Sequence, residues 1–169
     1  MMKKIIIGLL CVLSFTSLAG ESLPTLILEK EFGGRLDGSS WSSAEIKNKV
    51  HVLFYVDPDE KDLNERVADV LQNAKFPLDK YGSIAVINMA ATWLPNFAIA
   101  TSLKEKQKKF PDTLYLKDFN KLFIKTWGLK DDSSNILLFD KSGMLLMKIM
   151  GKATEQEEKK LLGLIKDNL

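Results

Sequence analysis

Two short, almost wholly apolar runs constrain this chain most: VHVLFYV at Val50–Val56 and SIAVINM at residues 83–89. A strand that is apolar at every position, rather than at alternate ones, is buried on both faces, as in a parallel sheet. Between the runs, Leu63, Val67, Val70, Leu71 and Ala74 recur at the spacing of one helical face, and Pro77 stops that helix. Strand, amphipathic helix, strand at this spacing is a βαβ unit, with a right-handed crossover.

The rest of the chain extends this unit on both sides. Residues 23–31 are apolar-rich with Pro24 inside, which predicts an edge strand. Gly33-Gly34 and Asp37-Gly38-Ser39-Ser40 are turn chemistry. Residues 41–46 predict a short helix capped by Ser42 or Ser43. Residues 97–110 predict a helix with a lysine-rich outer face, ended by Pro111. A short strand at 113–116 and a helix at 119–127, closed by Gly128, follow. Apolar runs at 136–139 and 144–150 flank Asp140-Lys141-Ser142-Gly143, which is a β-hairpin pattern. Thr154-Glu155-Gln156-Glu157 is a capping box, and Leu161, Leu162, Ile165 and Leu169 stripe the last helix. There is no internal repeat or linker, so one domain is expected.

Residues 1–20 read MMKKIIIGLLCVLSFTSLAG. Lys3 and Lys4 precede an apolar stretch, and Ser17-Leu18-Ala19 places small residues at a cut after Ala19; this is the pattern of a secretory signal peptide. The stretch is short for a membrane span, which needs roughly 20 apolar residues. Cys11 follows Leu10, not the small residue that a lipoprotein anchor requires. The expectation is a signal peptide at 1–19 and a domain at 20–169, secreted to the periplasm of a Gram-negative bacterium with no stable membrane anchor. The whole chain has 24 Lys+Arg and 22 Asp+Glu; loss of Lys3 and Lys4 leaves 22 of each. A neutral mature domain argues against nucleic acid as a partner, because that binding needs clustered cations. Cys11 is the sole cysteine, so the mature domain has no disulfide, thiolate or cysteine metal site.

The order βαβ, helix, hairpin, helix resembles thioredoxin: an α/β fold, a three-layer α/β/α sandwich with a mixed central sheet. The leader, Trp41-Ser42-Ser43-Ala44-Glu45 before Lys49-Val50, the Asp132-Ser133-Ser134 stretch, and Asp140-Lys141-Ser142-Gly143 before the Thr154-Glu155 helix are similar to the YtfJ-type family of exported thioredoxin-like proteins. The similarity spans nearly the whole mature chain. Members often carry the label of transcriptional regulator, which would imply a cytoplasmic role that an export signal opposes.

Redox-active members of the thioredoxin fold carry two cysteines after the first core strand, where a helix N-terminus stabilises a thiolate. The matching stretch here is Val56-Asp57-Pro58-Asp59-Glu60-Lys61-Asp62, which lacks the CxxC motif. The proline that such folds place ahead of the hairpin strand is also missing, at Ser133-Ser134-Asn135. Thiol–disulfide oxidoreductase and peroxidase activities are therefore rejected on sequence. The carboxylates read first as helix caps, with Asp57 or Asp59 accepting backbone amides and Pro58 in the first turn. The sharper alternative is a hard-cation site of Asp57, Asp59, Glu60 and Asp62, although the glycine and spacing of an EF-hand are missing.

His51, the single histidine, lies at the far end of its strand from this loop, five or six residues away at about 3.3 Å each. It reads as structural and leaves no base for a serine triad. No Gly-x-Ser-x-Gly elbow or phosphate loop occurs. Residues 90–97, AATWLPNF, are unusually apolar for a loop. Trp93, Leu94 and Phe97 either fold onto the core or anchor a partner. Lys104, Lys106, Lys108 and Lys109 read as a solvated face. The expected function is a redox-inactive, non-catalytic binding module of the cell envelope. Its partner is an envelope protein or peptide, it needs no cofactor and no metal, and its candidate binding residues are Asp57, Asp59, Glu60, Trp93, Leu94, Phe97, Ser133 and Ser134. The alternatives are a metal-dependent or other non-thiol enzyme at the loop 57–62, or a transcriptional regulator.

Overall fold

The computed structural model describes residues 20–91 and 95–169. Its main sheet has six strands: β2 (Gly33–Arg35), β4 (Val50–Val56), β5 (Tyr81–Asn88), β6 (Thr113–Asp118), β7 (Ser134–Phe139) and β8 (Leu145–Met150). Their spatial order is β2-β6-β5-β4-β7-β8. β4, β5 and β6 run parallel, and β2, β7 and β8 pair antiparallel with their neighbours. A small ladder joins β1 (Ile27–Leu28) to β3 (Trp41–Ser42).

β4 is central because its side chains are apolar on both faces. Leu53 and Tyr55 point into one core with Trp41, Phe123 and Trp127. Val50, Val52 and Phe54 point into the other, with Val67 and Leu71 of α1 (Glu65–Asn73) and Leu161 and Ile165 of α4 (Glu155–Asn168). Helix α2 (Asn96–Lys109) lies on the α1 side, and α3 (Leu122–Trp127), with the N-terminal segment, covers the opposite face. The mixed α/β sheet with helices on both sides is the expected architecture. Among the described residues, no helix is long and apolar enough to cross a membrane.

The capping box forms: Thr154 Oγ1 accepts from Glu157 N at 3.2 Å, and Thr154 N donates to Glu157 Oε2 at 2.8 Å. Gly128 closes α3 in the left-handed region at φ 62°. Three elements differ from the sequence reading. Gly33 and Gly34 are not a turn but an edge strand paired with Asp118 and Lys117. Gly33 is required there, because its φ is 126° and a Cβ would overlap the Lys117 carbonyl oxygen. Residues 41–46 hold a two-residue strand and then a single 3-10 turn, Ser43–Glu45, capped by Ser42. The first strand shrinks to Ile27–Leu28.

Candidate functional site

Adjacent parallel strands expose their carboxyl ends on one edge, and open α/β sheets place ligands there. Here that edge carries a row of polar side chains. Alternation along β4 puts Asp57 on the face of Leu53 and Tyr55; along β5 it puts Asn88 with Ile84 and Val86; along β6 it puts Asp118 with Leu116. On β7, Asn135 pairs with Tyr55 and shares its face. Asp118, Asn88 and Asp57 therefore stand side by side across three strands, with Asn135 on the fourth set back level with Tyr55, each at most 2% exposed. Asp118, Asn88 and Asp57 lie beyond Tyr55, which packs in the aromatic cluster with Phe123, Trp127 and Trp41.

Each member of the row is fixed by named bonds. Asn88 Nδ2 donates to Asp57 Oδ1 at 2.7 Å, and Ser133 N donates to Asp57 Oδ2 at 2.8 Å. Asp57 N donates in turn to the Ser133 carbonyl. Asp118 accepts from Tyr55 OH, Asn120 N and Phe123 N. Asn135 bridges both backbone groups of Lys130. Asn88 Oδ1 is the exception among the described residues: a buried side-chain acceptor with no partner.

This corrects the capping assignment. Asp57 is the N-cap of the short 3-10 turn Pro58–Glu60, but its side chain makes no capping bond. It turns under the sheet edge to Asn88 and Ser133 instead, because a cap is worth about 1 kcal/mol and two bonds to a buried carboxylate are worth more. Burial pushes the Asp57 carboxyl above the usual carboxylate range; the bonds from Asn88 and Ser133 oppose the shift, and the nearby Asp131 and Asp132 add to it. Burial, with Asp118 beside it, pushes the Tyr55 hydroxyl well above its ordinary range. The Tyr55 hydroxyl therefore keeps its proton at neutral pH.

The cation quartet is corrected as well. Among the described residues, the carboxylates that converge are Asp57, Asp131 and Asp132, whose ligand atoms lie within 4.8 Å of one another. Asp59, Glu60 and Asp62 do not join them, and Asp62 pairs with Lys106 at 3.4 Å. Of the remaining candidates, Ser133 and Ser134 are buried. Ser133 binds Asp57, and Ser134 is held by Asn64, which also binds the Gly151 carbonyl and Ala153 N. Trp93 and Leu94 lie outside the described residues, and Phe97 falls in the first turn of α2. His51 is structural: its Nδ1 lies 3.0 Å from the Lys49 carbonyl, and its ring packs where a Cβ on Gly82 would stand.

The other face of the same edge is hollow. A cleft of about 690 Å³ lies between the sheet, α1 and α2. Its walls include Phe54, Val56, Leu71, Ile99, Leu103 and Tyr115, and Asp59 and Ser134 also line it. That volume falls within the usual range of ligand pockets. Helix α2 is tied to α1 by ion pairs: Lys106 to Glu65 at 2.9 Å, and Lys109 to Glu65 at 3.0 Å and Asp69 at 2.8 Å. Lys106 and Lys109, read from sequence as part of a solvated face, thus add to the hold of buried Ile99 and of the Gln72 Nε2 bond to the Lys109 carbonyl. The cleft has no sequence signature, since its walls are ordinary apolar residues spread over separate strands and helices.

Residues 26–168 match the family model described as "Bacterial protein of unknown function (YtfJ_HI0045)". The chain belongs to that family. It is 25% identical over 144 residues to the Escherichia coli (strain K12) "Uncharacterized protein YtfJ", covering 83% of this chain and 76% of the relative. It is 24% identical over 179 residues to an uncharacterized Haemophilus influenzae protein, covering 97% of each. Two solved structures show the fold alone. The pneumococcal exposed lipoprotein thioredoxin Etrx1 from Streptococcus pneumoniae superposes at a TM-score of 0.59 with 18% identity, over 85% of this chain and 99% of that one. The peroxiredoxin-like protein from Aquifex aeolicus gives 0.55 and 13%, over 87% of each. The fold is thus thioredoxin-like, and a single cysteine, Cys11, leaves no CxxC pair.

Proposed function

We propose that this YtfJ-family chain is a redox-inactive, non-catalytic binding module of the cell envelope, exported to the periplasm by cleavage after Ala19, where it holds an apolar segment of another envelope protein or peptide. The cleft carries this reading: a large apolar hollow on the ligand edge of the sheet, closed on one side by a helix fastened through surface ion pairs. Two further observations support it. The strand end that bears a thiol in redox-active relatives of the fold bears Asp57, which is engaged by Asn88 and Ser133. The balanced charge after residue 19 favours protein over DNA as the partner.

The test is affinity capture from periplasmic extract with three chains: wild type, Ala68→Trp and Trp93→Ala. Ala68 lines the cleft from α1, so tryptophan there fills it. The expected result is one set of partners captured by wild type and lost with Ala68→Trp, at unchanged melting temperature. Trp93→Ala reports whether Trp93 joins the anchor. Equal capture by wild type and the filled variant contradicts the reading.

A further inference from the structure

The apolar cleft between the sheet, α1 and α2 is long and thin. Alternation along β5 puts Tyr81, Ser83, Ala85 and Ile87 on its floor, while Ile84 and Val86 face the opposite core. From Tyr81 to Ile87 the floor runs six residue steps at about 3.3 Å, roughly 20 Å in all. A volume of about 690 Å³ over that length leaves a cross-section of roughly 35 Å². An α-helix with its side chains is about 10–12 Å across, or roughly 80–110 Å². A helix is therefore too thick for the cleft, and an extended chain is not.

An extended chain is either polypeptide or hydrocarbon, and the walls discriminate between them. β4 and β5, which form the floor, are hydrogen-bonded to neighbours on both sides and offer no free main-chain group. The two amide side chains in the lining are already bonded, Asn64 to Ser134 and the Gly151 carbonyl, and Gln72 to the Lys109 carbonyl. Apart from the charged ends, only hydroxyls remain to meet the regular N–H and C=O groups of a polypeptide. Buried there, those groups would go unpaired, at a cost that a hydrocarbon does not bear. One acyl chain spans half of the roughly 30 Å hydrocarbon core of a bilayer, about 15 Å, so the cleft is long enough for a whole one.

The two ends say how such a chain is carried. Lys75 and Asp112 line one end; Asp59 and Glu65 line the other with Lys61 and Lys106. Each end balances to zero formal charge, so neither favours the carboxylate of a free fatty acid over a neutral ester or amide. Leu78 lines the first end and is 55% exposed. A polypeptide carrier covers that apolar surface, whereas a carboxylate head does not. Given the cleft as the binding site, a reading on which this inference rests, we propose that it holds one linear acyl chain, joined by a neutral amide or ester to the envelope protein it binds.

The experiment titrates the purified mature chain by calorimetry with a short peptide amide that carries an N-terminal octanoyl, lauroyl or palmitoyl chain. The unacylated peptide, palmitate and lysophosphatidylethanolamine are the comparisons. Each buried methylene should tighten binding about threefold to fourfold, so affinity should rise at least tenfold from octanoyl to lauroyl and again to palmitoyl. The unacylated peptide should give no heat, and palmitate and the lysolipid should bind more weakly than the palmitoyl peptide. Ala68→Trp and Ser102→Trp fill the cleft from α1 and from α2, and each should weaken palmitoyl binding at least tenfold at unchanged melting temperature; where one variant melts early, the other carries the test. Affinity that does not grow with chain length, binding undiminished in the filled variants, or tighter binding of palmitate or the lysolipid would overturn the proposal. Failure of every acyl chain to bind, while envelope proteins are still captured and lost with Ala68→Trp, would overturn the acyl chain and leave the binding role standing. Capture that Ala68→Trp does not affect would overturn both.

Discussion

His51 and Asp57 stand at opposite ends of β4, and burial acts on them in opposite senses. It holds the imidazole of His51 below the ordinary histidine range and pushes the Asp57 carboxyl up. For His51 the unfolded chain, titrating near 6.5, binds its proton first as pH falls. Stability is then complete above pH 6.5 and drops as pH falls from there through the lowered folded value. The slope is at most about 1.4 kcal/mol per pH unit for one proton. Melting curves from pH 7.5 to 5 should show it, and His51→Gln should flatten it, since the chain has no other histidine. A second residue carries more of the fold than its type suggests. Asn64 binds Ser134, the Gly151 carbonyl and Ala153 N, joining the start of α1 to both hairpin strands. Asn64→Ala leaves those buried groups without a partner and should cost about 2–4 kcal/mol, read as a lower urea midpoint at unchanged slope.

Helix α2 differs from the other helices in how it is held. α1 and α4 bury Leu71, Leu161 and Ile165 in the core, whereas α2 roofs a cleft and leans on α1 through Lys106 and Lys109. Exposed ion pairs contribute about 0–1 kcal/mol each and weaken in salt. Amides of α2 should exchange with solvent through local opening, well below the free energy that protects β4. Raising NaCl to 0.5 M, or substituting Glu65→Gln, should speed exchange in α2 and leave β4 unchanged; exchange of α2 only by global unfolding would refute this. The elements that sequence shows clearly are those with dense local signals: the apolar runs of β4 and β5, the Thr154 capping box and Gly128 at the end of α3. β2 was hidden because Gly33 and Gly34 carry no strand signal, and their pairing depends on the distant Lys117 and Asp118. The helix expected at 41–46 yields to Trp41, which pairs with Leu28 and buries its ring against Phe123 before the chain turns.

On the scale of the whole molecule, the sheet separates two different features at one edge: a buried polar row on the α3 face and an apolar hollow on the α1–α2 face. The row was partly legible. Asp57, Asn88 and Asp118 each end a strand in phase with the same core face, which the alternation of β4, β5 and β6 already contains. What sequence could not give is that Asp57 turns inward to Asn88 rather than capping the next turn, because both choices satisfy a carboxylate. The hollow was not legible, since it depends on how far α2 stands from the sheet. It is nevertheless the feature on which the proposed function rests. The most direct measurement is site-specific photo-crosslinking in intact cells, with the reactive side chain at Ser102, which lines the cleft from α2. The account predicts a discrete crosslinked species in the envelope fraction, abolished by Ala68→Trp and absent when the crosslinker is placed at exposed Lys160 on α4. Crosslinking that is equal at Ser102 and Lys160, or unaffected by filling the cleft, would contradict it.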